Sequence, residues 1–180
     1  MNIFVLDLDI AACARYHADQ HVVKMILEGA QMLCTILNTQ GVETPYRSTH
    51  QKHPCVLWTG QSLSNWKWLR ELTLGLNDEF LYRFRGSSDH RSASVVRDLP
   101  LPPLVDRGLT EFVQAMPVQY RVAGDPVQAY RNFYVGEKSA FARWTRRRAP
   151  KWYREAVRRS PGGAPLSGGR HITDGGQGGD

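Results

Sequence analysis

The chain opens on a short apolar run, Asn2 to Leu6, rich in β-forming residues and closed by Asp7 and Asp9. Such a run predicts a buried strand or an extended N-terminal segment packed on the core. From Ile10 onward the apolar positions recur at helical spacing. Ala11 to His17 predicts a first short helix or the lead-in to the next. Asp19 to Asn38 predicts a long helix that Gly41 ends. Thr44 to Cys55 is irregular, with Pro45 and Pro54 as breakers. Ser62 to Phe84 predicts a second long helix, because Trp66, Leu69, Leu72, Leu76 and Phe80 share one face and Ser62 or Ser64 can cap it. A turn at Gly86 to His90 precedes a short helix to about Leu99, then a rigid Leu-Pro-Leu-Pro-Pro connector. Thr110 to Met116 predicts another helical turn or two. Asp125-Pro126 is a helix-start signal, and the helix it opens is expected to reach about Arg147. Pro150 breaks it, and Lys151 to Arg159 predicts a last short helix. The expectation is an all-α fold: one mostly helical domain over residues 1–159, with a short extended or β N-terminal segment. The Gly/Pro/Ser-rich residues 160–180 are expected to be a disordered tail.

One helix departs from the usual amphipathic pattern. With about 100° per residue and His17 at zero, His21, Lys24, Glu28, Gln31 and Thr35 fall within roughly 80° of one another. Val22, Ile26, Ala30, Leu33 and Leu37 lie opposite, and Val23, Met25, Leu27, Met32 and Ile36 fill the flanks. A solvated helix carries a broad polar face. This one is apolar nearly all round except for one narrow strip, so it is mostly buried and its strip faces a polar cleft or buried partners. Two histidines, a lysine and a glutamate in four turns each cost desolvation, which favours a working site over packing.

Composition narrows the partners. The net charge is +6 and the aromatic content 10%. Residues 120–159 hold eleven Lys or Arg against three acids, a net +8, interleaved with eight aromatic side chains. That pattern suits a surface that grips phosphates and stacks on bases, and it predicts DNA as partner. Cys13, Cys34 and Cys55 form no CxxC pair, so they read as buried reduced thiols of a cytoplasmic protein. The first nine residues lack a basic leader, and no apolar run is long enough for a membrane span. No membrane partner is expected, and a monomer is.

Two chemistries fit the strip. Glu28 can act as a general base or stabilise a developing cation, with His21 as acid or base and Lys24 orienting a phosphate. Alternatively His17 and His21 share a metal with His50 and His53 or a carboxylate, as in a metal-assisted hydrolase of nucleotides or nucleic acid. A non-enzymatic DNA-binding accessory protein, its strip a structural network, is the third possibility.

The strip also carries a resemblance. Asp19-Gln20-His21, followed after six residues by Glu28, resembles the Asp-Gln-His…Glu segment on the first helix of the phage pyrimidine-dimer DNA glycosylases, the endonuclease V family. Pro150-Lys151-Trp152-Tyr153-Arg154 resembles that family's Pro-x-Trp-Tyr-basic motif near its C-terminus. The opening MNIFVLD and the stretch DQHVVKMILE are also similar to phage and bacterial proteins labelled as such glycosylases. The resemblance implies a small, basic, all-helical DNA glycosylase and abasic-site lyase that needs no metal or other cofactor. In such an enzyme an amine attacks the sugar C1′ of a damaged pyrimidine nucleotide and forms an imine, and a carboxylate assists β-elimination. Glu28 would be that carboxylate, Gln20 and His21 would hold DNA, and Trp152, Tyr153 and Arg154 would line the DNA-facing surface. Arg131, Lys138, Arg147 and Lys151 are the basic residues expected to join them. The family's nucleophile is the α-amine of a threonine exposed by loss of the initiator methionine. Here residue 2 is Asn, so Met1 is expected to stay, and the nucleophile is the Met1 α-amine or Lys24, a partly buried lysine one turn from Glu28.

Overall fold

A computed structural model describes residues 1–159. Among these residues the chain is all-helical and compact. The seven helices are α1 (Ile10–Tyr16), α2 (Asp19–Thr39), α3 (Pro54–Gly60), α4 (Leu63–Phe84), α5 (Arg91–Asp98), α6 (Pro126–Lys138) and α7 (Lys151–Arg159), with a 3-10 turn at Val118–Tyr120. None of them is long and apolar enough to cross a membrane. The tail expected to be disordered, residues 160–180, lies outside the described residues.

Helix α2 is the axis of the core. Val22, Ile26, Ala30, Leu33 and Leu37 are completely buried, each worth about 1.5–3 kcal/mol for the larger side chains. The helix packs against α3, α4 and α5, most extensively against α4, which α1 covers in turn. Gly29 permits that approach: a Cβ there would overlap Thr73 Oγ1. Gly41 takes φ 80° just beyond the helix end, a conformation glycine adopts without strain.

The sequence-based boundaries hold where a capping residue sets them. Asp9 caps α1, Ser62 caps α4 and Asp125 caps α6, each accepting from a backbone N–H of the first turn. They fail where distant parts of the chain decide. Residues 2–6 are no such failure: they are buried and pair in no strand, the second of the two alternatives expected. Pro54, expected to act as a breaker, instead serves as first residue of α3, with His53 as its cap. Thr110 to Met116 is extended rather than helical. Its polar groups are claimed across the fold: Asn65 Oδ1 accepts from the Thr110 amide, and Phe112 stacks on Trp58. Helix α6 stops at Lys138, well short of Arg147. The chain that follows turns back to cover the start of α2, where Arg143 O accepts from the Asp19 amide and Trp144 Nε1 donates to Tyr16 O.

Candidate functional site

The first helix ends at Tyr16, and His17 and Ala18 are extended (ψ 136° and 156°). His17 therefore does not continue the strip of α2. It points into the core, fully buried, with Nδ1–H donating to Cys13 O at 2.8 Å and Nε2 without a hydrogen-bond partner. Burial, outweighing the help of that hydrogen bond, lowers its pKa to about 4, so the ring is neutral near pH 7.

The rest of the strip divides along its length. Gln20, Val23, Lys24 and Leu27 face solvent, while His21 and Glu28 turn under the N-terminal segment. His21 is stacked on Phe4, with ring centroids 4.4 Å apart, and its Nδ1 meets Tyr134 OH at 2.5 Å. Burial, with the nearby His17, Lys138 and Lys24, pushes its pKa down to about 3. His21 is thus a neutral, fixed ring, suited to orienting its neighbours.

Glu28 is the meeting point. The Met1 α-ammonium lies 3.7 Å from Oε2, and the Asn2 amide donates to the same oxygen at 2.9 Å. Lys24 Nζ approaches Oε1 at 3.3 Å from one turn earlier. The carboxylate is only 8% exposed, yet the Lys24 side chain is 67% exposed, so the site opens on the Lys24 side. Lys24 is therefore an exposed lysine, not the partly buried one the strip suggested.

The N-terminal segment is held as firmly as a helix. Asn2 Oδ1 accepts from the amides of Ile3 and Phe4, and Nδ2 donates to Ala115 O at 2.9 Å. Phe4 adopts φ 39°, a left-handed conformation that costs a phenylalanine of order 1–3 kcal/mol. Its carbonyl accepts from the Cys13 thiol, and its ring is clasped by His21, Phe133, Tyr130 and Tyr134. Downstream, Arg131 ties the segment down through Leu6 O and Asp7. The three cysteines are free and buried, and burial pushes the Cys13 and Cys55 thiols up to about 12, which makes them poor nucleophiles.

His53 joins this site from α3. Its Nδ1 accepts from the Cys55 amide at 3.2 Å, so the neutral ring carries its proton on Nε2. Burial, then the positive Met1 amine and His50, lower its pKa, and the Glu28 charge opposes them. His53 thus senses both partners of the amine–carboxylate pair. His50 is exposed and His17 is in the core, so the four histidines considered as metal ligands are not gathered together. Among the described residues no group of three or more His, Cys, Asp or Glu is placed to hold a metal ion.

The expected DNA-facing residues have diverse settings. Gln20 is exposed in the first turn of α2. Arg131 stacks over Tyr16 and Trp152, and Lys138 sits over Phe133 at 4.6 Å. Arg147 is bound to Glu79 and lies over Tyr82. Lys151 is exposed beside Glu155. Trp152 packs on Tyr16 and Tyr134, Tyr153 is buried against Trp144, and Arg154 Nε donates to Ala149 O. Trp152 and Tyr153 thus face inward, whereas Arg143, Arg146 and Arg148 stand outward on the loop that covers the start of α2.

The structure brings together Glu28, Lys24, His21 and Met1, all singled out from the sequence, and adds Asn2 as a partner of Glu28. Asn2 left a faint signal, since a polar residue opening an apolar run needs a local hydrogen-bonding role. His53 stood in the sequence only as a candidate metal ligand, and its role as the cap of α3 was not legible there. Comparisons with family models, curated proteins and solved structures yield no match to this chain.

Proposed function

We propose that the protein is a DNA glycosylase and abasic-site lyase acting on damaged or modified pyrimidines, with the Met1 α-amine as nucleophile and Glu28 as catalytic carboxylate. The observation that carries this reading is the pair itself: a primary amine 3.7 Å from a nearly buried carboxylate, on a segment whose strained backbone is fixed by Asn2. The resemblance of Gln20-His21-x6-Glu28 and of the Pro150–Arg154 stretch to the pyrimidine-dimer glycosylases supports the same assignment.

The steps follow from the two groups. The free amine adds at the sugar C1′, displacing the base or condensing with the open aldehyde of an abasic site, and gives an iminium. Its positive charge sits against Glu28, which stabilises it. The carboxylate then removes a C2′ proton, and the C3′–O bond breaks with the phosphate as leaving group. Water hydrolyses the conjugated imine and returns the amine. Geometry favours Met1 over Lys24: the Met1 amine sits on the buried oxygen of Glu28, whereas the exposed Lys24 is placed to hold a phosphate at the open side. DNA is the partner of this reading, and a monomer suffices because both reacting groups come from one chain.

Borohydride trapping on abasic-site DNA tests it, with the intact mass confirming that the chain begins at Met1. A covalent adduct is expected from the wild type and from Lys24→Ala, and none after selective blocking of the α-amine. An adduct lost in Lys24→Ala but kept after blocking transfers the role to Lys24. Wild-type protein that neither traps nor cleaves ends the lyase reading, and chelator-sensitive cleavage without trapping replaces it with metal-assisted hydrolysis.

A further inference from the structure

The loop that leads into α3, anchored on α2 two turns beyond Glu28, lines an open cavity of about 580 Å³ with Ser48, Thr49, His50, Gln51, Lys52 and His53. We propose that this loop is a phosphodiester-binding subsite, with Lys52 Nζ and His53 Nε2–H as its donors, that seats a strand phosphate next to the sugar held at Met1 and Glu28. The inference deepens the lyase reading and rests on it for the identity of the strand.

The loop is anchored where it must be to serve α2. The Thr49 amide donates to Thr35 Oγ1 at 3.1 Å, and that hydroxyl donates to Gln31 O in turn. Thr35 stands seven residues beyond Glu28, about 10 Å along the helix axis. The loop thus flanks Glu28 on the side opposite Lys24. A second anchor is the His53 amide, which donates to His50 O at 2.7 Å and closes the turn. His50 takes φ 48°, a strained conformation, with its Nδ1 bonded to Thr49 Oγ1.

Within this frame the remaining donors are uncommitted. Lys52 is exposed and forms no ion pair among the described residues. His53 uses Nδ1 as an acceptor for Cys55, which leaves Nε2–H free to donate. The loop from Ser48 to His53 contains no acid, so no carboxylate within it competes for an anion. A lysine and a neutral imidazole donor in an open, acid-free cavity suit a singly charged phosphodiester. With Lys24 on the far side of Glu28, cationic groups then lie on both flanks of the reacting pair, as a strand crossing α2 requires.

The test uses the full protein and a duplex carrying a tetrahydrofuran abasic analogue, which has no aldehyde and forms no imine. One methylphosphonate linkage, which removes a single charge, is placed in turn at each position flanking the analogue. At one position the wild type is expected to bind about tenfold more weakly, and Lys52→Ala is expected to show no further loss there. Lys52→Ala should also lower the slope of log affinity against log salt by about one. His53→Gln should behave alike, and Lys52→Ala alone carries the test if the loss of the α3 cap unfolds that variant. Additive losses at every position overturn the subsite, as does displacement of the duplex by inorganic phosphate beyond that of chloride at matched ionic strength. Trapping on a true abasic site with additive losses leaves the lyase reading standing and removes the subsite. A shared, non-additive position without trapping does the reverse, and no binding to DNA removes both.

Discussion

Glu28 on α2 and Glu79 on α4 are nearly equally buried, 8% and 5% exposed, and each gathers three donors, yet they serve different ends. Glu79 is held by two guanidinium groups: Arg83 Nε at 2.9 Å, and Arg147 through Nε at 3.1 Å and Nη2 at 2.7 Å. Arg83 is itself committed, donating also to Asp19 and to the carbonyls of His17 and Arg15. Four of its five N–H groups are used, and no member is a nucleophile. Glu28 instead faces two primary amines and one amide, and one of those amines is open to solvent. A guanidinium keeps its proton at any working pH, whereas an amine can release one and attack. Equal burial therefore marks a clamp in one place and, in the proposed lyase, a reacting pair in the other, and the chemistry of the donors separates them.

The clamp should fail most dramatically. Arg83→Leu leaves Glu79 and Asp19 short of a cation and the Arg15 and His17 carbonyls short of donors, so urea unfolding should show a loss of about 3–5 kcal/mol. Survival of this variant at near wild-type stability would remove the contrast.

Acid should act on both regions through the neutral histidines, His17 beside Arg83 and His21 beside the N-terminus. Their folded pKa values, about 4 and about 3, lie below the ordinary 6.5, so the unfolded chain binds more protons than the native one in that window. Their stabilisation is complete above pH 6.5 and should fall by about 1.4 kcal/mol per pH unit for each histidine as the pH drops towards 4. Urea titrations at successive pH values measure the slope, and His21→Phe should roughly halve it. Glu79 adds to the loss at lower pH. Burial alone would raise its pKa, but Arg147 and Arg83 outweigh that and hold it below 4.5, so its contribution is present above 4.5 and lost below.

At the reactive pair the effect should be on rate instead of stability. Glu28→Gln keeps an acceptor for the Asn2 amide and should lower abasic-site cleavage at least a hundredfold, about 2.7 kcal/mol in barrier, with little change in melting temperature. A variant that melts far lower but still cleaves would make Glu28 a second clamp. The smallest effect belongs to Lys24→Ala: an exposed i,i+4 pair is worth about 0.3–0.5 kcal/mol, so stability should barely move while DNA affinity falls modestly.

Much of this was legible beforehand. Capping residues announced α4 and α6 because a cap is a local bond between near neighbours. The strip of α2 pointed to Glu28 and Lys24 because helical periodicity alone sorts positions by face. The clamp left a sign that went unread: Glu79 and Arg83 extend the buried line of Leu72 and Leu76 at helical spacing, an ion pair on an apolar face. The end of α6 left no such sign, because it is set by the docking of Arg143 and Thr145 on Asp19, more than a hundred residues away.

The sequence by itself determined the two long helices, their buried faces and the existence of a polar strip, all of which follow from spacing within about twenty residues. Only the tertiary structure decided what the strip does with its charges. It removed His17 to the core, made Asn2 the anchor of the N-terminus, seated the Met1 amine on Glu28 and brought His53 alongside. The contacts of Met1 and Asn2 with Glu28 join residues 26 or more apart, and side-chain periodicity carries no information about which distant segment will fill a given face.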